Sequence, residues 1–532
     1  MILNEIIEQV KAFRQVIYKL FNKRRDAKIN LVDALSSNTK AKTVVELSEN
    51  NLFERKHSSI TPAINEFFPE EKNKEEPKKL KEEYEKEISI AISKIIPVQK
   101  KRIYLLFALD TTTIPRPYAK TLKDLHIAYK PNPISGNKPI TIGHSLSLLT
   151  YLPEVRESSW VLPLSSRRVL SNEKGAAVGI KQITELMKET KSSLNDQLCV
   201  VSTDSLYGTH VCQKEASSEK NLILIARGRS NRNFYYQPIN SKGDKSGHPT
   251  WYGEEMKLSN PTTHKVSDYE NKFEHKTKKG KILTVNISCW YNMLMRGRKE
   301  FDTHNYPFTL VRGVVTDSDG KNVYKNPLWL MAFGEKRNEL NPTEIFNVYQ
   351  QRYDIEHYFR FSKRNLLLAS YQTPETEHEE AWHQLSMLAY VQLFMCRELA
   401  KKLPKPWEKH LSASKTSSLL TPTQVQRDFE RLVNQELGTP AKEVKKRGIP
   451  EGRKKGYKPV SRPTMPVIYK SKKKQLKKNK QLLSEVEIKA KKANKPANYS
   501  EIVNELNHWL KNIKMEMPDF LNKLTSELSS SS

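Results

Sequence analysis

The sequence has few cysteines, no long apolar run and too few acidic residues to balance its basic ones. Its four cysteines, Cys199, Cys212, Cys289 and Cys396, are far apart and include no C-x-x-C pair. We therefore expect buried thiols in a reducing compartment, not a zinc site or a disulfide framework. No apolar run approaches the ~20 residues of a membrane span, and the N-terminal segment MILNEIIEQVKAF mixes acids with its apolar residues. These absences predict a cytoplasmic protein without a membrane span or a signal peptide.

Basic residues are in large excess, with a formal net charge of +30 and a pI near 9.6. This charge exceeds what solubility requires and predicts a polyanionic partner, either nucleic acid or an anionic membrane surface. More than half of the excess lies in residues 442–495, where 20 Lys and Arg stand against 4 Asp and Glu. A stretch this one-sided favours nucleic acid over an ordinary solvated surface.

Changes of composition and hydrophobic pattern along the chain predict five regions of an α/β protein. Residues 1–95 have the pattern of a helical domain, which is a candidate for DNA binding. Residues 96–230 alternate strands with helices, residues 231–340 form a β-rich segment, and residues 341–405 return to helix. Residues 406–532 are predicted to be helical and strongly basic.

Two aspartates stand where predicted strands end. RIYLLFALD at residues 102–110 ends in Asp110 before three threonines, and NDQLCVVSTDS at residues 195–205 places Asp204 directly after another apolar run. Functional groups gather at strand termini in α/β sheets, and carboxylate oxygens are preferred ligands of Mg²⁺ and Mn²⁺. A single aspartate of this kind can equally begin a turn or cap a helix, so the pair needs further support.

A long helix is predicted over residues 341–367, because Asn-Pro-Thr-Glu supplies capping chemistry at its start and no later Pro or Gly interrupts it. Tyr349, Arg352, Glu356 and Lys363 would fall within about 60° of one another on this helix. A carboxylate flanked by two cations and a phenol suits a site that handles phosphate. The same spacing also occurs on solvated helix faces, where Arg352 and Glu356 would form an ordinary ion pair.

The pattern Tyr349-x2-Arg352-x3-Glu356-x6-Lys363 matches without a gap a known signature. It resembles the Tyr-Arg-Glu-Lys signature of the DDE transposases of bacterial insertion sequences, in the insertion-sequence-four superfamily. The resemblance covers roughly residues 100–400. It implies an α/β fold with a ribonuclease-H-like core interrupted by a β-rich insertion, a helical N-terminal region and a helical, basic C-terminal region.

The resemblance extends to both aspartates. LDTTTI at residues 109–114 is similar to the segment that carries the family's first catalytic aspartate, and VVSTDS at residues 200–205 is similar to the second. The family therefore implies that Asp110, Asp204 and Glu356 are the catalytic residues and the ligands of Mg²⁺ or Mn²⁺, with two ions expected.

Further residues are implied to bind DNA. The resemblance implies that Arg352 and Lys363 hold DNA phosphates beside the scissile bond. It also implies that Tyr349 donates a hydrogen bond to the same DNA backbone. PLWLMAFG at residues 327–334 resembles the strand whose tryptophan stacks on a flipped base, which makes Trp329 the matching residue. Such stacking is worth ~1–3 kcal/mol. The alternative, a tryptophan that fills core beneath a strand, is about as well supported.

Three arginines, Arg227, Arg229 and Arg232, follow a predicted strand and lie among aromatic residues in ARGRSNRNFYY. We expect them to contact phosphate, with ordinary surface arginine as the alternative.

The function implied is that of a DNA transposase, which cleaves element ends and joins the 3′-hydroxyl to target DNA by two-metal-ion phosphodiester transfer. Its partners would be the terminal inverted repeats and target DNA, bound by a homodimer at the nucleoid. Three alternatives stay open: a stand-alone ribonuclease-H-like nuclease, a catalytically inactive DNA-binding protein descended from a transposase, and a basic protein associated with RNA or ribosomes.

Overall fold

The computed structural model describes residues 3–69, 77–129, 140–154, 160–238, 251–277, 280–297, 302–403 and 420–444, residues 405 and 407, and the segments 456–458 and 461–468. None of the helices in these ranges combines the length with the apolar character of a membrane span. Most of the predicted basic C-terminal region lies outside the described residues.

In the described residues, ten strands form one mixed sheet, and two further strands pair separately. The strands in chain order are β1 (Leu105–Pro115), β2 (His126–Tyr129), β3 (Ile140–Tyr151), β4 (Leu162–Val169), β5 (Cys199–Thr203), β6 (Leu222–Gly228), β7 (Asn233–Tyr235), β8 (Glu255–Lys257), β9 (Tyr269–Lys276), β10 (Ile282–Met293), β11 (Phe308–Thr316) and β12 (Leu328–Phe333). The order in the large sheet is β2-β3-β1-β5-β6-β12-β11-β10-β9, with β4 also paired to β3.

The helices in the described part of the chain surround this sheet. They are α1 (Leu3–Leu20), α2 (Arg25–Ser36), α3 (Ile60–Asn65), α4 (Pro77–Ser93), α5 (Gly175–Lys188), α6 (His210–Ser218), α7 (Pro342–Gln351), α8 (Asp354–Asn365), α9 (Thr376–Lys402) and α10 (Pro422–Leu432).

Five strands, in the order β4-β3-β1-β5-β6, form the ribonuclease-H-like part of the sheet. β1 is antiparallel to β3 and parallel to β5, and β5 is parallel to β6. Every residue of β5 is buried, as is every residue of β6 except Arg227. Parallel strands are covered on both faces, which is why their sequences are nearly continuous apolar runs. The predicted α/β class with a ribonuclease-H-like core is confirmed.

The predicted β-rich segment continues the same sheet. β12 pairs antiparallel with β6, and β11, β10 and β9 follow in antiparallel succession. This arrangement satisfies the backbone groups along the free side of β6, which would otherwise be an open edge. The segment therefore widens the sheet beside the ribonuclease-H-like strands.

The N-terminal helices share a core with the rest of the chain. Arg14 of α1 forms an ion pair with Asp33 of α2 at 2.6 Å, and these side chains are 2% and 1% exposed. The same guanidinium donates to Gln392 of α9 at 2.6 Å. Apolar residues of α1 and α2 belong to the same buried cluster as those of α9 and the sheet.

A C-terminal segment covers the outer side of β2. The backbone N–H of Ile127 donates to the carbonyl of Ile468 at 3.3 Å, and the N–H of Met465 donates to the carbonyl of Lys120 at 2.8 Å. The described residues 461–468 thus follow the edge that β2 would leave open.

Candidate active site

The two aspartates predicted at strand ends lie beside each other in the sheet. Leu109 of β1 pairs in parallel with Thr203 of β5, so Asp110 and Asp204 are the next residues on neighbouring strands. Asp204 directly follows β5 as predicted, and its carboxylate accepts a hydrogen bond from the backbone N–H of Leu206 at 2.9 Å.

Asp110 lies within β1, which corrects the expectation that this strand ends there. Pairing with β5 stops at Leu109, whereas pairing with β3 continues to Pro115. The three threonines after Asp110 are β-branched and favour extended backbone, so the β1–β3 pair runs past the end of β5. Asp110 is thus at the point where its parallel neighbour ends.

Successive side chains of β1 point to opposite faces of the sheet. Thr112 faces α8, because Lys363 of that helix donates to its Oγ1 at 2.6 Å. Asp110, two residues earlier, faces the same way. A Cβ atom built on Gly175, the first residue of α5, would lie 2.9 Å from the Thr111 side chain, so Thr111 faces α5. Helices α8 and α5 therefore cover opposite faces of β1.

The single long helix predicted for this region is in fact two helices, α7 and α8, separated by Arg352 and Tyr353. The predicted start is correct, since the Asn341 side chain accepts a hydrogen bond from the N–H of Glu344 at 2.8 Å. At the break, the N–H of Arg352 donates to the carbonyl of Tyr349 at 3.1 Å. This three-residue spacing is tighter than that of an α-helix. No Pro or Gly marks the break in the sequence.

Arg352, at the break, forms an ion pair with Asp110. Its Nη1 donates to Oδ2 of Asp110 at 2.9 Å, and the N–H of Thr111 donates to Oδ1 at 2.7 Å. The Arg352 guanidinium also lies 5.9 Å from the centre of the Tyr349 ring. Both oxygens of Asp110 are therefore engaged by groups of the protein.

Lys363 is bonded to the same strand. Its Nζ donates to Oγ1 of Thr112 at 2.6 Å and to the carbonyl of Thr113 at 3.1 Å. Burial lowers the pKa of this amine, and the charge of Glu356 opposes the shift. Thr112 was not among the predicted site residues, although the two-residue alternation from Asp110 would have identified it.

The charges of the other two predicted acids act on Asp110. Burial raises the pKa of the Asp110 carboxyl to about 6, the positive charge of Arg352 opposes this rise, and the negative charges of Asp204 and Glu356 add to it. The side chains of Asp110 and Arg352 are 13% and 16% exposed, so water screens these interactions only in part.

A sequence model of the family described as DDE superfamily endonuclease matches residues 16–288. The match covers just over half of the 532 residues and includes both aspartates. The protein belongs to the DDE superfamily endonucleases. A search of curated proteins returned no match to the sequence. The matched range ends before α8 and does not include Glu356. A role for Glu356 in this DDE endonuclease is supported only by its place on α8 and by the effect of its charge on Asp110.

DDE endonucleases generally use divalent metal ions, and the donor chemistry here suits them. The carboxylates of Asp110, Asp204 and Glu356 are of the hard oxygen type that Mg²⁺ and Mn²⁺ prefer, and a cation would offset the negative charges that raise the pKa of Asp110. Among the described residues, no three His, Cys, Asp or Glu side chains are gathered closely enough to hold a metal ion. Binding through Oδ2 of Asp110 would require Arg352 to release that oxygen.

Trp329 of this DDE endonuclease lies in the core. Its side chain is 1% exposed, and its ring centre is 5.9 Å from that of Trp290 and 5.5 Å from that of His264. The Arg312 guanidinium lies 5.9 Å from the same ring. No face of the ring is open to a base in this arrangement, so the structure gives the predicted stacking role no support.

The three arginines predicted to follow a strand differ in their surroundings, and Arg227 lies within β6 instead of after it. Arg227 and Arg229 are exposed, and Arg229 donates to the hydroxyl of Ser205, the residue after Asp204, at 3.3 Å. Arg232 is half-buried and donates to the carbonyl of Gly208. Phosphate contact stays a prediction for Arg227 and Arg229. The Arg232 side chain is instead hydrogen-bonded to the backbone of the protein itself.

Proposed function

We propose that this DDE endonuclease is a DNA transposase of the insertion-sequence-four type. In the proposed reaction, water cleaves the phosphodiester bond at an element end and leaves a 3′-hydroxyl. That hydroxyl then attacks a phosphodiester of target DNA in line and displaces one of its ester oxygens. The supporting observation is that Asp110 and Asp204 occupy adjacent positions on parallel strands, while α8, with Glu356 and Lys363, covers the face to which Asp110 points.

The chain's own residues have distinct roles in this proposal. Asp110, Asp204 and Glu356 would move closer together than in the present structure to hold two Mg²⁺ or Mn²⁺ ions, which when bound supply activation of the nucleophile and stabilisation of the leaving oxygen. Arg352 and Lys363 would exchange their present bonds to β1 for bonds to DNA phosphates on either side of the scissile bond.

The remaining proposed contacts surround this centre. Tyr349 packs against Arg352 and would donate its hydroxyl to the DNA backbone once that arginine turns to phosphate. Arg227 and Arg229 are exposed beside Asp204 and would contact phosphates further along the strand. Because two element ends must be handled together, we propose a homodimer assembled on the terminal inverted repeats and target DNA at the nucleoid.

A DNA-binding protein that has lost catalysis is the second candidate. The ion pair between Arg352 and Asp110 favours it, because an arginine on Oδ2 excludes a metal ion from that oxygen. The presence of all three acids favours the catalytic proposal.

The test uses a duplex that carries the inverted repeat flanking the gene, with supercoiled plasmid as the target and Mg²⁺ or Mn²⁺ present. We expect the wild-type protein to nick the repeat end and join it to plasmid, and Asp204→Asn to bind the duplex without cleaving it. The matched control is Asp319→Asn, a change of an exposed aspartate in the turn after β11.

Each other outcome points to one alternative. Cleavage by Asp204→Asn at the wild-type rate would show that the catalytic assignment is wrong. Cleavage without joining would favour a stand-alone nuclease. Binding by the wild-type protein with no cleavage under either metal would favour the inactive DNA-binding protein.

A further inference from the structure

The outer face of α8 carries a stripe of side chains that the candidate active site does not use. Its members, which we call the α8 stripe, are Tyr353, Arg360 and Arg364, which are exposed, and His357, which is half-buried. Their spacings of four, three and four residues place them within about 60° of one another on an α-helix. Tyr353 precedes α8 with nearly helical angles (φ −59°, ψ −20°), so it continues the stripe.

The stripe is adjacent to the residues that face β1. Glu356 and Lys363 lie about 70–90° to one side of its centre on the helix. Helix α8 therefore presents one row of side chains to the sheet and the next row to solvent. A strand of DNA that reaches Glu356 would meet the stripe as it leaves the site.

The stripe is strongly positive and contains no acid. Arg360 and Arg364 are exposed, and neither side chain forms an ion pair or a hydrogen bond with any residue that the structure describes. They lie about 6 Å apart along the helix axis, on the order of the separation between neighbouring phosphates of one strand. Arginine is weakly hydrated and binds phosphate through a planar fork, so two unpaired arginines at this spacing suit a nucleic-acid backbone.

The other half of the stripe is aromatic. Tyr353 is 55% exposed, and its ring contacts that of His357 edge to face at 5.6 Å between centres. These two residues lie on the rim of an open groove of about 830 Å³ between helices α7 and α8 and strands β9 to β11. Phe273, Val285 and Phe346 contribute to the apolar part of its lining. The exposed ring of Tyr353 beside an apolar groove suits the face of a base better than a phosphate.

Exposed arginines most often are simply solvated, and the cations alone would not carry an assignment. The cations and the aromatic pair form one row, however, and that row begins next to Arg352, which bonds Asp110. We propose that the α8 stripe is the path of the DNA strand leaving the candidate active site. Arg360 and Arg364 contact successive phosphates, and Tyr353 stacks on an unpaired base at the rim of the groove.

This proposal rests on the proposed function, since it takes DNA as the substrate. The first test compares Arg360→Gln/Arg364→Gln with the control Lys181→Gln/Lys188→Gln. The control lysines are on α5, which covers the opposite face of β1, and their side chains are 62% and 66% exposed. Both double variants lower the net charge by two, and the control removes that charge from a different face of the protein.

The measurement is the affinity for a duplex with a single-stranded overhang over a series of salt concentrations. Each phosphate contact to a single strand contributes about 0.7 to the slope of log K against log salt concentration. We expect the slope to decrease in magnitude by about 1.4 for the arginine variant. The lysine variant should keep the wild-type slope. Equal slopes for the two variants would overturn the phosphate path.

The second test addresses the aromatic half. Tyr353→Ala should weaken binding of the overhang duplex at least about 5-fold, the low end of base stacking, and leave binding of a blunt duplex unchanged. Tyr353→Phe keeps the ring and should bind both duplexes as the wild-type protein does. Wild-type affinity of Tyr353→Ala for the overhang duplex would overturn the stacking contact.

These results separate the two proposals. If the wild-type protein cleaves and joins DNA but the stripe variants bind normally, only the path is wrong. If the stripe variants lose overhang binding while the wild-type protein neither cleaves nor joins DNA, the path is supported and the transposase proposal is not.

Discussion

The ion pair between Arg352 and Asp110 leads to a specific prediction about stability and metal binding. Replacing Arg352 with Gln removes the charge that keeps Asp110 ionised, whereas burial and the charges of Asp204 and Glu356 remain. The pKa of Asp110 should therefore rise above its value of about 6. A buried carboxylate with a raised pKa weakens the fold at pH values where it must ionise, and this cost disappears once the group is protonated.

The size of the effect follows from the exposure of the pair. Breaking a fully buried ion pair costs about 3–5 kcal/mol. The side chains of Asp110 and Arg352 are 13% and 16% exposed, so water screens the pair in part. We therefore expect the free energy of unfolding to fall by somewhat less, on the order of 2 kcal/mol at pH 8. At pH 5 the loss should be smaller, because Asp110 is then largely protonated in the variant.

The same substitution should strengthen metal binding by the free protein. With Arg352 gone, Oδ2 of Asp110 becomes available, and the positive charge that opposed the negative charges of Asp204 and Glu356 is lost. Binding at 100 times the dissociation constant stabilises a fold by about 2.7 kcal/mol. Mn²⁺ should therefore restore more stability to the Arg352→Gln variant than it adds to the wild-type protein.

Urea unfolding at pH 8 and pH 5, with EDTA or with Mn²⁺, measures both effects, and Mn²⁺ electron paramagnetic resonance measures the affinity directly. Arg352→Lys keeps the charge and serves as the control. The reasoning is refuted if Arg352→Gln is as stable as the wild-type protein at pH 8 in EDTA. It is equally refuted if the variant binds Mn²⁺ no more tightly than the wild-type protein.

Three further predictions concern the core. Trp329→Ala should lower the free energy of unfolding by about 3–5 kcal/mol and leave the DNA affinity of the folded protein unchanged; a normal stability with weakened DNA binding would instead support base stacking. Burial opposes ionisation of Glu379 on α9, but its hydrogen bond with His144 and the charge of Arg116 outweigh it and lower the pKa to about 2. The stability from this carboxylate is present above its ordinary pKa near 4.5 and is lost as pH falls toward 2, so Glu379→Gln should flatten the acid limb of the stability profile; superimposable profiles would contradict this. The four buried cysteines should react with a thiol reagent only after unfolding, which a rapid reaction of the native protein would disprove.

Much of the α/β core was predictable because its signals are local. The apolar runs that end near Asp110 and Asp204 become β1 and β5, since buried parallel strands need apolar side chains on both faces. The capping residue Asn341 begins α7 as predicted, because the cap depends only on the next few residues. Residues 341–405, which were predicted to return to helix, likewise include the largely buried helix α9.

Other features were not predictable because they depend on contacts between distant parts of the chain. The break between α7 and α8 has no Pro or Gly to mark it, and it accompanies a bond from Arg352 to a strand 242 residues away. The burial of Trp329 follows from its packing against Trp290 and His264, which adjacent sequence does not show. The extension of β1 beyond Asp110 depends on its pairing with β3.

By itself, the sequence determined which side chains are available for chemistry, namely three carboxylates with an arginine and a lysine at fixed spacings from the third. It also determined which segments must be buried, because apolar surface is removed from water wherever it lies in the chain. The tertiary structure alone decided which of these groups bond one another. It joined Arg352 to Asp110 and Lys363 to Thr112, because charges in a partly dry site must be compensated by whatever partner the packing brings near.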